Sequence, residues 1–267
     1  MRSVTGPGRP VGELLRGWRR SRRMSQLDLS IEAGVSARHL SFVETGRSRP
    51  SPELILRLAE QLDIPLAERN TMLLAGGHAP AYPSHELSDP ELAPVRAAVR
   101  QILDGHSPYP AALVDRHWHL VEANPAVTLF TANAEPRLLI PPINVLRLSL
   151  HPDGMARRIL NLSEWRAHLL NRLHQQAVTT NDPALYGLHE ELRGYPGGDG
   201  HAAPISDAVS SLVVPLRYRH SDQVLSFIST TTLFGTPLDV TVAGLAIETF
   251  FPADSATTEA IRALGKA

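Results

Sequence analysis

Between residues 11 and 75 the apolar positions recur three and four residues apart, and polar, glycine and proline residues cut them into short runs. That pattern predicts a string of short helices. In VGELLRGWRRSRR, Leu14, Leu15 and Trp18 form an apolar stripe on a basic helix. Ser25 followed by Asp28 has the form of a capping box, so SQLDLSIEA starts a second helix, and Gly34, free to take positive φ, ends it. Ser36 caps a third helix, ARHLSFVET, which Gly46 closes. Ser51 and Pro52 supply the N-cap and first position of a fourth, SPELILRLAEQL. Pro65 breaks it, and LAERNTMLLAGG is a fifth helix that ends in a glycine pair.

The pattern changes after residue 76. GGHAPAYPSHELSDP is rich in glycine, proline and polar residues and reads as a linker, assigned to 79–90, between a domain at 8–78 and a second at 91–267. PELAPVRAAVRQILDGH then reads as a helix. In PYPAALVDRHWHLVEAN, Leu113, Val114, Trp118, Leu120 and Val121 fall in two strand-like runs around a polar turn. Residues 153–193 predict a helical middle whose apolar face is Leu160, Leu162, Trp165, Leu169, Leu170 and Leu173. GYPGGDG is a turn, without the lysine of a phosphate loop. SSLVVPLRYR, VLSFISTTTLFG and VTVAGLAIETFFP predict an antiparallel meander, and Asp254 caps a final helix, SATTEAIRAL. The expected fold is two domains: an all-α helix-turn-helix bundle followed by an α+β domain with an open antiparallel sheet fed by strands from both ends.

Composition narrows the class of protein. A hydrophobic fraction of 43% with 20% charged residues fits a globular chain with a core. There is no cysteine, which excludes disulfides, thiolate metal sites and a cysteine nucleophile and fits a cytoplasmic location. No run approaches the roughly 18 apolar residues of a membrane span, and the N-terminus has arginines but no apolar signal core, so no membrane association is expected. Charge is unevenly placed. Residues 1–80 carry twelve arginines against eight acids, whereas the remainder carries fourteen basic against nineteen acidic residues. A basic module joined to an acidic one fits a chain in which only the first touches nucleic acid.

The stretch GVSARHLSFVETGRSRPS meets the requirements of a helix-turn-helix reader. Gly34 serves the tight turn, and Leu40 and Val43 bury one side of the third helix. Arg38, Ser41 and Phe42 remain on the other side, while Arg47, Ser48 and Arg49 follow as phosphate donors. Gln26 sets an amide at the N-terminus of the second helix, a place for a phosphate contact. Through Ser25-Gln26, Gly34-Val35-Ser36, Glu44-x-Gly46-Arg47 and Pro50-Ser51 the segment resembles the lambda-repressor-like (Xre-type) helix-turn-helix family. The resemblance implies phosphate contacts from Gln26, Ser36, His39 and Arg47, and base-edge contacts from Ala37, Arg38, Ser41 and Phe42. Arg38 suits guanine, and Ala37 or Phe42 a thymine methyl. Glu44 is expected to pair with an arginine of the bundle, and Trp18 to lie in its core. One reading helix makes few base contacts, so a homodimer on a pseudo-palindromic operator of double-stranded DNA is expected.

SARHLSFVETGRSRPS, MLLAGGHAPAY, SPYPAALVDRHWHLVEAN, LHPDGMARRILNLSEW and LAIETFFPAD together resemble the MmyB-like transcription regulators, over roughly residues 11–255. The resemblance implies a PAS-like C-terminal domain that holds a small apolar ligand, with a long-chain fatty acid as the first candidate. No cofactor is otherwise expected. Trp118, Leu129, Phe130, Ile143, Leu146, Trp165, Leu169, Phe227 and Phe234 are candidate wall residues, and Tyr109, Asn124, Asn144, Arg147 and Arg158 candidate head-group partners. No nucleophile elbow, zinc-protease, Walker or dinucleotide motif is present, so no catalytic residue is named. His117 and His119 would share one face of a strand, but no third ligand of evident spacing joins them. They are expected to face solvent without a metal. Two alternatives stay open for the C-terminal domain, an enzyme and a ligand-free dimerisation platform.

Overall fold

The computed structural model describes residues 9–197, 214–235 and 237–265. The chain divides into two compact units, the first running through His85 and the second formed from most of the residues after it.

The first unit holds α1 (Val11–Ser21), α2 (Gln26–Glu32), α3 (Ala37–Glu44), α4 (Pro52–Gln61) and α5 (Leu66–Ala75). The hydroxyls of Ser25, Ser36 and Ser51 accept from the backbone N–H three residues on, and Asp28 completes the capping box by accepting from the Ser25 N–H at 3.0 Å. All five helices end alike. One residue takes a left-handed φ, and the N–H after it returns to a carbonyl of the last turn, as Val35 does to Ser30 and Arg47 to Phe42. Gly34 and Gly46 fill that position as the sequence predicts, but Arg23 and Asp63 fill it for α1 and α4. Gly12 is needed for close approach instead. A Cβ there would come 2.3 Å from the Val43 carbonyl oxygen, so α1 lies directly on the end of α3. Leu15, Trp18, Leu29, Leu40, Val43 and Leu58 build the core between the helices.

The second unit opens with α6 (Ala93–Gly105), then β1 (Ala111–Val114) and β2 (Leu120–Ala123). Two short helices follow, α7 (Thr128–Thr131) and α8 (Val145–Leu150), and then α9 (Leu162–Thr180) and α10 (Pro183–Arg193). Beyond them come β3 (Leu216–His220), β4 (Gln223–Leu233), α11 (Val240–Ala243), β5 (Ala246–Pro252) and α12 (Ser255–Leu264), capped by Asp254. The five strands form one antiparallel sheet in the order β2-β1-β5-β4-β3. Leu113 and Ile247 face α6, packing on Val99 and Leu103. Val114, Leu216, Tyr218 and Phe227 face the opposite way and pack with Trp165, Leu173, Leu188 and Ile261 of the helices. Both faces are covered, which is why β1 reads as an unbroken apolar run.

Three sequence expectations change. Helix does not begin at 153: Leu160 donates its N–H to Arg217 at 2.8 Å and Ile159 bridges Tyr218, so this segment serves the sheet edge and Leu160 is exposed. VTVA is a helical turn, closed by the Gly244 and Leu245 N–H groups on Thr241 and Val242, and β5 starts only at Ala246. Trp118 occupies the turn between β1 and β2 instead of a strand. Residues 210–213 of SSLVVPLRYR and 198–200 of GYPGGDG lie outside the described residues.

One buried carboxylate fastens α1, α2 and α3. Glu44, fully buried at its side chain, accepts from Arg19 Nε at 2.6 Å and Nη2 at 2.9 Å, and from Gln26 Nε2 at 2.8 Å. Arg16 adds a hydrogen bond to the Glu44 carbonyl at 2.8 Å. Burial pushes the Glu44 carboxyl up, but the hydrogen bonds from Arg19 and Gln26 and the charges of Arg19 and Arg16 outweigh it and hold the group below its ordinary value. A lowered native pKa means that the unfolded chain binds more protons, so this stabilisation is full above the ordinary glutamate value and fades as pH falls through the native one. Glu44→Gln is expected to cost about 3 kcal/mol at pH 7, because it leaves Arg19 buried without its counter-charge. Urea unfolding at pH 7 and pH 4 checks this: the variant's deficit should shrink at pH 4, and a deficit independent of pH would show that charge is not what Glu44 contributes.

Candidate nucleic-acid interface and ligand cavity

On α3 the buried residues Leu40 and Val43 turn inward, which leaves the opposite side of the helix accessible. Arg38 is exposed there, with Ala37, His39, Ser41 and Phe42 half-buried beside it. The Arg38 guanidinium lies 5.4 Å over the Phe42 ring, a cation–π contact that gives the arginine a preferred orientation before any ligand arrives. Arg47 and Arg49 are exposed on the loop that follows, and Ser48 is half-buried between them. Ser36, exposed at the start of α3, spends its hydroxyl oxygen on the His39 N–H. Gln26, at the start of α2, donates from Nε2 to the buried Glu44 carboxylate at 2.8 Å, which orients its amide.

In the second unit the inward face of the sheet and α7, α8 and α9 enclose an apolar void of about 80 Å³. Trp118, Phe130, Leu146, Trp165 and Leu169 line it. The indole N–H of Trp165 donates to Ser149 at 3.0 Å and that of Trp118 to Gln176 at 2.8 Å, so both rings meet the void with their polar edges satisfied. The wall also carries one ion pair. Arg172 of α9 donates to Glu248 of β5 at 3.0 Å and 2.6 Å and to the Thr231 hydroxyl, and its guanidinium lies 4.5 Å over the Trp118 ring. His168, stacked on Trp165, is held below its ordinary pKa by burial and by the positive charge of Arg172, which keeps it neutral.

Trp118 sits at φ 68°, the left-handed position that closes a three-residue hairpin loop and that glycine or asparagine usually fills. Holding a bulky residue there costs on the order of 1–3 kcal/mol. Burial of the ring, the hydrogen bond to Gln176 and the Arg172 contact oppose that cost, so the strained residue is held by the wall of the void.

Several sequence-named residues lie elsewhere. Asn124 is consumed by the backbone, accepting from the Ala111 N–H and donating to the Leu103 and Tyr109 carbonyls. Asn144 caps α8 and donates to the His117 carbonyl. Arg147 makes a two-pronged pair with Glu191, and Arg158 donates to Asn133, both at the surface. Tyr109 and Leu129 pack on the outside of the core, Phe227 lies within it, and Phe234 joins the cluster on the other sheet face. The Ile143 carbonyl accepts from Leu120, and its side chain lies off the void. Arg172 and Glu248 went unnamed, although each left a trace. Arg172 falls seven residues after Trp165 on the buried stripe of α9, and Glu248 is the lone charge in AIETFFP.

His117 and His119 are half-buried, keep part of each ring in solvent, and each also meets a carboxylate. His117 Nε2 lies 2.8 Å from Asp182, and His119 Nδ1 lies 3.0 Å from Asp115.

The MmyB-like transcription regulator ligand binding domain family matches residues 95–264, and a helix-turn-helix domain family matches residues 10–72. The chain is similar to the uncharacterized HTH-type transcriptional regulator RghRB of Bacillus subtilis, 35% identical over 75 residues that make up 28% of this chain and 52% of that protein. It is also similar to the transcriptional regulator ClgR of Mycobacterium tuberculosis, 40% identical over 57 residues, 21% of this chain and 51% of that protein. The chain spans about half the length of these curated relatives. Among the described residues no helix is long and apolar enough to cross a membrane.

Arg172→Met is expected to destabilise the second unit by about 3 kcal/mol, since Glu248 is then left unpaired against an apolar void. Arg172→Met combined with Glu248→Leu should recover most of that loss. Urea unfolding of the three proteins measures both effects, and a single-variant loss below about 1 kcal/mol would mark the pair as solvated.

Proposed function

The chain belongs to the MmyB-like transcription regulators, and from that premise we propose that α3 reads operator DNA sequence-specifically while the second unit senses a fatty acid. The observation that carries the sensor reading is the Arg172–Glu248 pair on the wall of an otherwise apolar void. Apolar residues of similar volume would hold a plain dimerisation core as well or better. A pair that faces a void instead offers a ligand its polar end. The strand order β2-β1-β5-β4-β3, with the void between the sheet and its helices, supports the PAS-like reading.

The void of about 80 Å³ is small beside the roughly 300–1,000 Å³ of ordinary ligand sites. Entry of an acyl chain therefore requires the wall to part. The segment between β2 and α9 contains α-helices of only four and six residues, which makes it the wall that opens at least cost. A fatty acid carboxyl at Arg172 shares that guanidinium with Glu248.

On the DNA side, Arg38 takes a base edge, and Arg47, Ser48 and Arg49 hold phosphates. Each good base contact is worth only about 1–3 kcal/mol, so a homodimer on two half-sites about one helical turn apart supplies the remaining specificity. No catalytic step forms part of this reading.

Two experiments check it. Arg38→Ala should weaken binding to a selected operator by about 1–3 kcal/mol and leave binding to random DNA nearly unchanged, whereas an equal loss on both would assign Arg38 to phosphate. Mass spectrometry of an organic extract should find fatty acid in the purified protein. After delipidation, palmitate should bind again, and at least tenfold more weakly to Arg172→Met. Absence of both extracted lipid and palmitate binding would make the second unit a dimerisation platform.

A further inference from the structure

We propose that the hairpin joining β1 to β2 is a binding site for a borderline divalent transition ion such as zinc, held by Asp115, His117 and His119. Each of these residues offers one donor atom, and the three atoms lie within 4.8 Å of one another, half-shielded from solvent. A small contraction brings such a set around one ion, because zinc takes imidazole nitrogen and carboxylate oxygen at about 2.0–2.2 Å. Two imidazoles and one carboxylate leave the remaining positions to water, the pattern of an open site.

The hairpin gathers these donors by its own hydrogen bonds. Asp115 Oδ1 does the structural work, accepting the backbone N–H groups of His117 and His119, each at 2.8 Å. Its other oxygen, Oδ2, lies 3.0 Å from His119 Nδ1 in a hydrogen bond that a bound ion would replace. Asp182, at the N-cap of α10, accepts from the Ala184 N–H with one oxygen and holds His117 Nε2 with the other. A carboxylate on the second nitrogen of a ligating imidazole is the usual device that fixes its tautomer and orientation. The left-handed Trp118 between the two histidines turns its ring into the cavity wall, so both imidazoles come to the outer side of the hairpin, 6.1 Å apart between centroids. An ion bound there braces that wall from outside.

Zinc chloride added to metal-stripped full-length protein tests the assignment, with bound metal counted by equilibrium dialysis and elemental analysis. One zinc per chain is expected. His117→Ala/His119→Ala should weaken that equivalent at least tenfold, whereas substitution of His174, exposed on α9 beside His189, by alanine (His174→Ala) should keep it. Asp115 is left intact because its Oδ1 holds the turn. A second measurement needs no variant: saturating zinc should protect His117 and His119 of the native protein from diethyl pyrocarbonate, as read by peptide mass spectrometry. Failure to bind zinc at micromolar concentration, equal binding by the double variant, or equal modification of both histidines with zinc bound would each overturn the site. No arm uses lipid or DNA, so the result is independent of the sensor reading.

Discussion

The Glu44 carboxylate is where the first unit is fastened. It ends α3, the helix that faces outward with Arg38, and it is gripped by Arg19 from α1 and Gln26 from α2. A buried carboxylate is tolerable only if its oxygens are satisfied, and here two helices must keep their places to satisfy them. The approach of Gly12 to the Val43 carbonyl adds a steric condition to the electrostatic one. Together they set the pose of α3 more closely than apolar packing among leucines would. The exposed side of the helix is left with Arg38, oriented over the Phe42 ring.

The second unit uses the same device for another purpose. Arg172 and Glu248 join α9 to β5 as Glu44 joins the first three helices, but their pair faces a void and shares it with Trp118 and Trp165. A satisfied pair inside packed side chains locks a structure; one beside an apolar space leaves polar capacity for a guest. The strained φ of Trp118 belongs to this arrangement, since its indole is held by Gln176 and Arg172 rather than by the preference of its backbone.

The short-range features were legible. Ser25, Ser36 and Ser51 announce helix starts because capping acts across three residues, and Gly34 and Gly46 announce ends because the turn needs a left-handed φ. Arg23 and Asp63 show the limit of that signal: exposed non-glycine residues take the same conformation, Asp63 with a local tendency toward it and Arg23 without one. Long-range partners were less legible. Nothing local tells that Asn124 and Asn144 serve the backbone, or that Arg147 meets Glu191 across 44 residues. The nearness of Asp115 to His117 and His119 was not legible because a strand was expected where a tight hairpin gathers the three residues. The helix-turn-helix and the ligand-binding domain were legible as families, and the residues that face the void only as a set of candidates.

A regulator of this kind works if the filled cavity favours one arrangement of a dimer and thereby the spacing of its two reading helices. Coupling between two such sites ordinarily amounts to about 1–3 kcal/mol, or 5–150-fold in affinity. If lipid and DNA binding are coupled in this way, operator affinity of delipidated and fatty-acid-loaded protein at fixed salt differs at least fivefold on the cognate site and not at all on random DNA. Equal cognate affinities, with fatty acid shown to be bound, would contradict it.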